Sequence, residues 1–464
     1  MRAASCEVNA QRSRRGTKKR FYETNDTKMN ESMNRIKSLL SLLLAATMFG
    51  GPSAITSANA QAPEGLPKPP ERKVTVKFWA IATQGWKEVI AEFAKAYPNI
   101  DIKWTKYSTD ELKQALRVAS ASGKMPDMWF NWGGSLAAPF IDGGHALEIT
   151  PELAAKYGLD KSISPIALDL ARYKGKLYGV PIWVKPMTVF YKKSLFEKYG
   201  IPEPKTFDDL EKAFQTLKSN GITPIACGGK FSWMTMRTTD FLIEHFAGPA
   251  THDKLFALEE SYNSPPVIQA FAKLKEWVDK GYFNDGFISL DPNQALPLLY
   301  QNKAGTIFQG PWIEEENIIK SGLDSNDFVP IIAPADQTPV RVSGFQEQLQ
   351  ISSKSPPEVQ QAALLFAAYI SQPEVAKTAA SKALGTPRAV LGFLPPEDRP
   401  TGIKMTRWIQ GEAQLYLPTD QALPQELVNA FFQAQDSVVL GTITPEAAAA
   451  QIQKAVEAYK AANK

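Results

Sequence analysis

The sequence predicts an α/β protein folded as two lobes, with a helical C-terminal region. Three observations carry this. From residue 73 onward, apolar runs of strand and helix periodicity alternate. The chain exceeds what one compact core holds, yet no Gly/Ser-rich linker divides it. Beyond Pro356 it turns almost wholly helical.

The elements follow in order. "KVTVKFWA" (Lys73–Ala80) alternates and is β-branched, which predicts a strand. Apolar residues at Val89, Ile90, Phe93 and Tyr97 have helical spacing, closed by Pro98. "IDIKWTKY" is a second strand, Ser108 with Glu111 forms a capping box for the next helix, and "PDMWFNW" is a third strand. Strand–helix–strand–helix–strand implies parallel pairing. The alternation continues through "KLYGVPIW", "VFYKKSLFEKYG", a Thr206/Asp209 capping box, "ITPIACGG", helices over roughly 236–247 and 266–281, and "KAGTIFQGPW". Helices are then expected over 357–370, 373–382, 403–410, 424–435 and 445–462. Lobe 1 is expected over 73–184 plus 343–371 and lobe 2 over 188–333 plus 385–464. Hinge crossings fall at 185–187, 334–342 and 372–384.

Ahead of residue 73 the reading is one of export. A basic stretch at 34–38, a ten-residue apolar run at 39–48 and the small-x-small site Ala58-Asn59-Ala60 predict a signal peptide over 33–60, cleaved after Ala60. The apolar run is too short to span a bilayer. Residues 1–32 are an upstream extension and 61–72 a proline-rich leader tail. Removing the ten basic and four acidic residues of 1–60 from totals of 52 and 48 leaves 42 and 44, a net charge of −2. The basic balance that would favour nucleic acid disappears. Cys227 is then the single cysteine, so no intrachain disulfide is expected.

The usual catalytic signatures are missing. His145, His245 and His252 form neither HxH nor HExxH, and there is no G-x-S-x-G, P-loop or G-x-G-x-x-G after a strand. The expectation is a binding protein, not an enzyme, without cofactor or metal. Of ten tryptophans, Trp79, Trp132, Trp183, Trp233 and Trp312 fall where strands end or loops begin, the side on which open α/β sheets hold ligands. The C–H face of a pyranose stacks on an indole, and its hydroxyls need directed hydrogen bonds. Candidates for those bonds are Gln84, Asn131, Lys185, Arg237, Gln309 and Gln346. Trp104, Trp129 and Trp277 lie mid-element and are assigned to the core. The acidic run Glu314–Glu316 is expected to complement the first turn of its own helix.

The segments "VTVKFWA", "EFAKAYPNIDIKW", "SGKMPDMWF", "GKLYGVPIWVKPMTVFYKKSLFEKYGIPEPKTFDDL", "NKAGTIFQGPW" and "LGTPRAV" occur in the order found in the family 1 extracellular solute-binding proteins of ABC importers, the relatives of maltose-binding protein. The chain resembles that family over nearly all of 73–464. The resemblance implies a monomeric periplasmic receptor of the two-lobed, type II-like fold, which closes on a sugar by hinge bending and docks on a membrane permease. It places Asn131, Trp132, Trp183, Lys185, Trp312, Gly344, Phe345, Gln346 and Trp408 at ligand-cleft positions. The position aligned with Lys185 is often acidic in maltose-type members, which leaves room for a ligand with an acidic group. A sugar phosphate, a polyamine or another small solute is the alternative ligand, and an exported carbohydrate-active enzyme the alternative class.

Overall fold

The computed structural model describes residues 62–463 apart from 83, 383 and 386, so the expected extension, signal peptide and cleavage point lie outside the described residues. Strands β1 (Val74–Ile81), β2 (Ile100–Tyr107) and β3 (Met128–Trp132) alternate with helices α1 (Trp86–Ala96) and α2 (Thr109–Ser122). Strand β1 runs parallel to both β2 and β3, as the alternation requires. The inward residues of β1, Val74, Val76, Phe78 and Ala80, are buried while Lys77 is exposed, the period of a strand packed on one face. The Glu111 carboxylate accepts from Ser108 N at 2.9 Å, so the capping box opens α2 where it was expected.

Two long strands join the lobes. Strand β4 (Val180–Lys192) is buried along all thirteen residues and carries on into the second half of the sheet, where β5 (Thr223–Ala226), β6 (Ala304–Gln309) and β7 (Phe328–Ile331) lie. Strand β8 (Arg341–Ile351) returns antiparallel to β4 and to β3. A short strand, β9 (Gln414–Tyr416), pairs parallel with the start of β8. Among the described residues these nine strands form one sheet, in the order β2-β1-β3-β8-β4-β6-β5, with β7 beside β4 and β9 beside β8. The β4–β8 register skips Ile182, whose carbonyl accepts instead from Ala389 N at 2.8 Å.

Two hydrophobic cores lie on either side of the crossing. The second is covered by α3 (Phe207–Ser219), α4 (Trp233–Phe256), α5 (Pro265–Asp279), α6 (Pro292–Tyr300), α8 (Pro400–Arg407), α9 (Gln425–Val439) and α10 (Pro445–Ala462), whereas α7 (Pro357–Ile370) covers the first. Helix α4 kinks at Gly248-Pro249, where φ at Gly248 is 74°.

The C-terminal part departs from expectation in two places. The helix expected over 373–382 is two single turns, Pro373–Ala376 and Ala379–Lys382. Arg388 and Ala389, expected in lobe 2, pack with the first core. Leu384 and Ala389 belong to that core, and the buried Arg388 guanidinium donates to the carbonyls of Ile182 and Ile370 and to Ser381 Oγ. A buried guanidinium must find acceptors, and the first lobe supplies them. The chain reaches the second core by Met405 and Trp408.

Candidate functional site

Between the two cores lies a cavity of about 450 Å³. Its floor is the pair of crossing strands. Lys185 and Met187 of β4 and Phe345 and Glu347 of β8 face into it. The Lys185 Nζ stands 3.7 Å from Glu347 Oε2, and both side chains are nearly buried. Gln84, in the loop after β1, donates from Nε2 to Glu347 Oε2 at 3.5 Å, and its Oε1 accepts from Trp86 Nε1 at 3.0 Å.

The first lobe adds Trp132, at the end of β3, with Lys113 Nζ 4.9 Å from its ring centroid. The second lobe adds Trp233, Arg237 and Trp312. Trp233 opens α4 directly after Ser232, a non-glycine residue at φ 62°. The Ser232 hydroxyl, donating to Asp436 Oδ2 at 2.5 Å, holds that turn. One helical turn on, the Arg237 guanidinium lies 4.4 Å from the Trp233 ring and 5.0 Å from the Trp312 ring. Its Nη1 donates to Gln309 Oε1 at 2.6 Å and to Phe308 O at 3.3 Å. Burial lowers the Arg237 pKa to about 9, against the opposing pull of Asp420.

Several wall residues escaped the sequence reading: Asp110, Lys113, Asp291, Glu347 and Asp420. Burial raises the pKa of Asp420, with Lys113 and Arg237 lowering it. It also raises that of Asp110, where Lys113 lowers it and Asp291 of the other lobe raises it further. Asp110 was open to discovery, since it follows the carboxyl end of β2 in a recognised capping box. Glu347 follows from strand parity once Phe345 is placed on the cavity face. Asp420 has no local signal.

The structure thus brings Gln84, Trp132, Lys185, Trp233, Arg237, Gln309, Trp312 and Phe345 to one cavity, and it sets the other expected residues elsewhere. Gln346 lies between Phe345 and Glu347 and so points to the opposite face, fully buried against Gly133; a Cβ on that glycine would lie 2.3 Å from Gln346 Nε2. Asn131 likewise turns away from the cavity: its amide donates to Gln350 Oε1 at 2.8 Å and to Leu136 O at 3.3 Å, shaping the turn that presents Trp132. Trp183 is sealed in the first core, its indole N–H donating to Leu384 O at 3.0 Å. Trp408 belongs to the second core and borders a separate groove beside Lys404 and Arg341. Trp79 packs on Tyr107, its ring centroid 5.3 Å away, and does not line the cavity.

Glu314 also differs from expectation. Its buried carboxylate accepts from Thr401 N at 3.0 Å and Gly402 N at 2.9 Å, so it caps the start of α8. Among the described residues no group of three or more His, Cys, Asp or Glu is placed to hold a metal ion. No helix there is long and apolar enough to cross a membrane.

Comparison with known proteins agrees with this architecture. Residues 79–377, more than half of the chain, match the family described as Bacterial extracellular solute-binding protein. A second description, Sperm antigen HE2, matches residues 35–76, upstream of every residue of the cavity. The chain is 29% identical over 296 residues to an uncharacterized ABC transporter extracellular-binding protein of Pyrococcus horikoshii, covering 61% of this chain and 68% of that one. It is 28% identical over 207 residues to a probable sugar-binding periplasmic protein of Rhizobium meliloti, covering 43% of this chain and 48% of the relative. In three dimensions it resembles a chitin oligosaccharide binding protein with a TM-score of 0.73 and 22% identity, over 83% of this chain and 98% of that one, a likeness of fold. Two α/β lobes with a cleft between them, built on strands in the order above and matched over 79–377, place this chain in the bacterial extracellular solute-binding protein family.

Proposed function

We propose that the protein is the exported substrate-binding component of an ABC sugar importer, which holds a neutral mono- or oligosaccharide in the interlobe cavity and delivers it to membrane permease subunits. The observation that carries this is the cavity lining: indoles of Trp132 from one lobe and Trp233 and Trp312 from the other, set among amide and charged groups. Indole faces match the C–H face of a pyranose, and the polar groups match its hydroxyls. The relatives' sugar-binding names agree with this reading.

The charge pattern favours a neutral ligand over one with an acidic group. Lys185 is compensated by Glu347, and carboxylates outnumber cations on the walls. A phosphate site would gather several uncompensated basic groups, and the helix starts that border this cavity carry Asp110, Glu111 and Asp291 instead.

Closure is taken to bend at the crossings, where Lys185–Met187 of β4 pair with Ser343–Phe345 of β8 and where β9 joins β8. Residues 33–60 would direct export, with cleavage near Ala60, and the protein would act as a monomer without chemistry on its ligand. Isothermal titration across a panel of neutral sugars tests the reading. Trp312→Ala should weaken whichever sugar binds by roughly 30-fold, as expected for about 2 kcal/mol of lost aromatic burial. Unaltered sugar recovered after prolonged incubation checks the binding-only role, and released products would overturn it.

A further inference from the structure

The floor of the cavity carries a charge pair whose geometry differs from that of a structural salt bridge. Lys185 and Glu347 stand on neighbouring crossing strands, Lys185 opposite Phe345 and Glu347 opposite Trp183. Their side chains are 3% and 6% exposed, yet Nζ and Oε2 are 3.7 Å apart. That is longer than the roughly 2.8 Å of a charge-assisted hydrogen bond. Among the described residues Lys185 Nζ makes no hydrogen bond. Its other neighbours are the ring faces of Trp183 at 5.2 Å and Trp312 at 5.9 Å, which hold a cation in place and accept no N–H···O bond. A buried ammonium with donors to spare therefore faces the cavity beside a carboxylate.

The carboxylate is itself oriented. An indole N–H can only donate, so Trp86 fixes Gln84 with its oxygen towards the indole and its amide nitrogen towards Glu347. Gln84 orients Glu347, and Lys185 is held between two rings. The pair's spacing is set by the β4–β8 register and not by the angle between the lobes.

We infer that Lys185 and Glu347 form a specificity-determining pair that binds two adjacent hydroxyls of a neutral ligand and rejects a carboxylate or phosphate at the same place. One hydroxyl oxygen accepts from Lys185, and the neighbouring hydroxyl donates to Glu347. A ligand anion drawn to Lys185 meets Glu347 at nearly the same distance, so attraction and repulsion largely cancel while the cost of desolvating the anion remains. A ligand cation meets the mirror-image problem. A neutral vicinal diol satisfies both ends. The inference deepens the sugar-binding reading and rests on it.

The test is isothermal titration of wild type, Glu347→Gln and Lys185→Gln with raffinose, maltotriose and N,N′-diacetylchitobiose as neutral probes and trigalacturonate as the anionic one. Wild type should take at least one neutral sugar more than 10-fold more tightly than trigalacturonate. Glu347→Gln uncovers the lysine charge and should shrink that ratio by 10-fold or more. Lys185→Gln uncovers the carboxylate, so it should weaken the neutral sugar and leave trigalacturonate undetectable. The opposed signs guard against general loss of fold, and thermal unfolding of each variant checks it directly. A ratio unmoved by Glu347→Gln in a protein that binds a neutral sugar overturns the inference alone, as does a wild type that prefers trigalacturonate. Failure of wild type to take any of the four overturns the sugar reading and the inference together.

Discussion

Trp312 lies folded back over Gly310, so closely that a Cβ at position 310 would stand 1.9 Å from the indole ring. The strand β6 ends at Gln309, Pro311 turns the chain, and the bare glycine backbone becomes the shelf on which the ring rests. The ring is half-buried, packs against both cores, and has Phe345 at 6.1 Å and the Arg237 guanidinium at 5.0 Å. Trp312 is therefore neither a plug of one core nor a free surface ring. Gly310→Ala should push the ring out of place and weaken sugar binding by about 10-fold or more. The overpacking should cost about 1–3 kcal/mol of stability. Titration and denaturant unfolding of the variant measure both, and unchanged affinity would show that the ring's seat does not matter to the ligand.

The alternation of strand and helix was legible because each period is local, and the two capping boxes fixed helix starts at Ser108 and Thr206. Trp132, Trp233 and Trp312 reach the cavity because strand ends and helix starts, which local sequence marks, border it. The errors have physical causes. Gln346 failed by parity, since a shift of one residue turns a side chain through the sheet. Asn131 failed for the same reason, with Trp132 beside it on the correct face. Trp183 and Trp408 failed because burial depends on what covers a ring, and Leu384 and the second core come from distant sequence. Arg388 and Ala389 went to the wrong lobe because the carbonyls that satisfy Arg388 lie at Ile182 and Ile370, invisible in the local pattern. The same holds for the bond that Glu314 accepts from Thr401 N, 87 residues later.

Ser135 ties the lobes together outside the cavity. Its hydroxyl donates to Asp420 O at 3.0 Å and accepts from Gln425 Nε2 at 2.9 Å. Gly134, at φ 59°, permits the approach, for a Cβ there would lie 2.2 Å from Gln421 O. Neither Ser135 nor Gln425 lines the cavity. A contact between lobes that the ligand does not touch should bias closure for every ligand alike. Ser135→Ala should weaken all sugars that bind by one common factor, about 5-fold for roughly 1 kcal/mol, and leave their ranking intact. Spin labels at Val118→Cys and Leu440→Cys, positions 56% and 60% exposed on opposite lobes, should move apart in the unliganded variant. A changed ranking of sugars, or an unmoved label distance, would contradict this role.

Asp240 links stability to pH. It is buried on α4, where it accepts from Thr419 N at 3.0 Å and from the Thr419 hydroxyl at 2.6 Å, so it anchors the turn that carries Asp420. Burial pushes its pKa up to about 7; the bonds from Thr419 oppose the rise, and the charges of Asp420 and Glu244 add to it. An unfolded aspartate titrates near pH 3.9, so the native state holds the extra proton between about pH 4 and 7. Stability from this group therefore falls as pH rises through that window and levels off above it. The ceiling is about 4 kcal/mol, from three pKa units at 1.36 kcal/mol each. His252, buried beside Glu244, works the other way: burial lowers its pKa, so stability is lost as pH falls below the unfolded value near 6.5. Asp240→Asn keeps one acceptor for Thr419 and removes the titration. Its melting temperature should lie furthest below wild type at pH 5 and close on it, or pass it, at pH 8. A gap that stays constant across pH 5 to 8 would mean that Asp240 is ionised throughout.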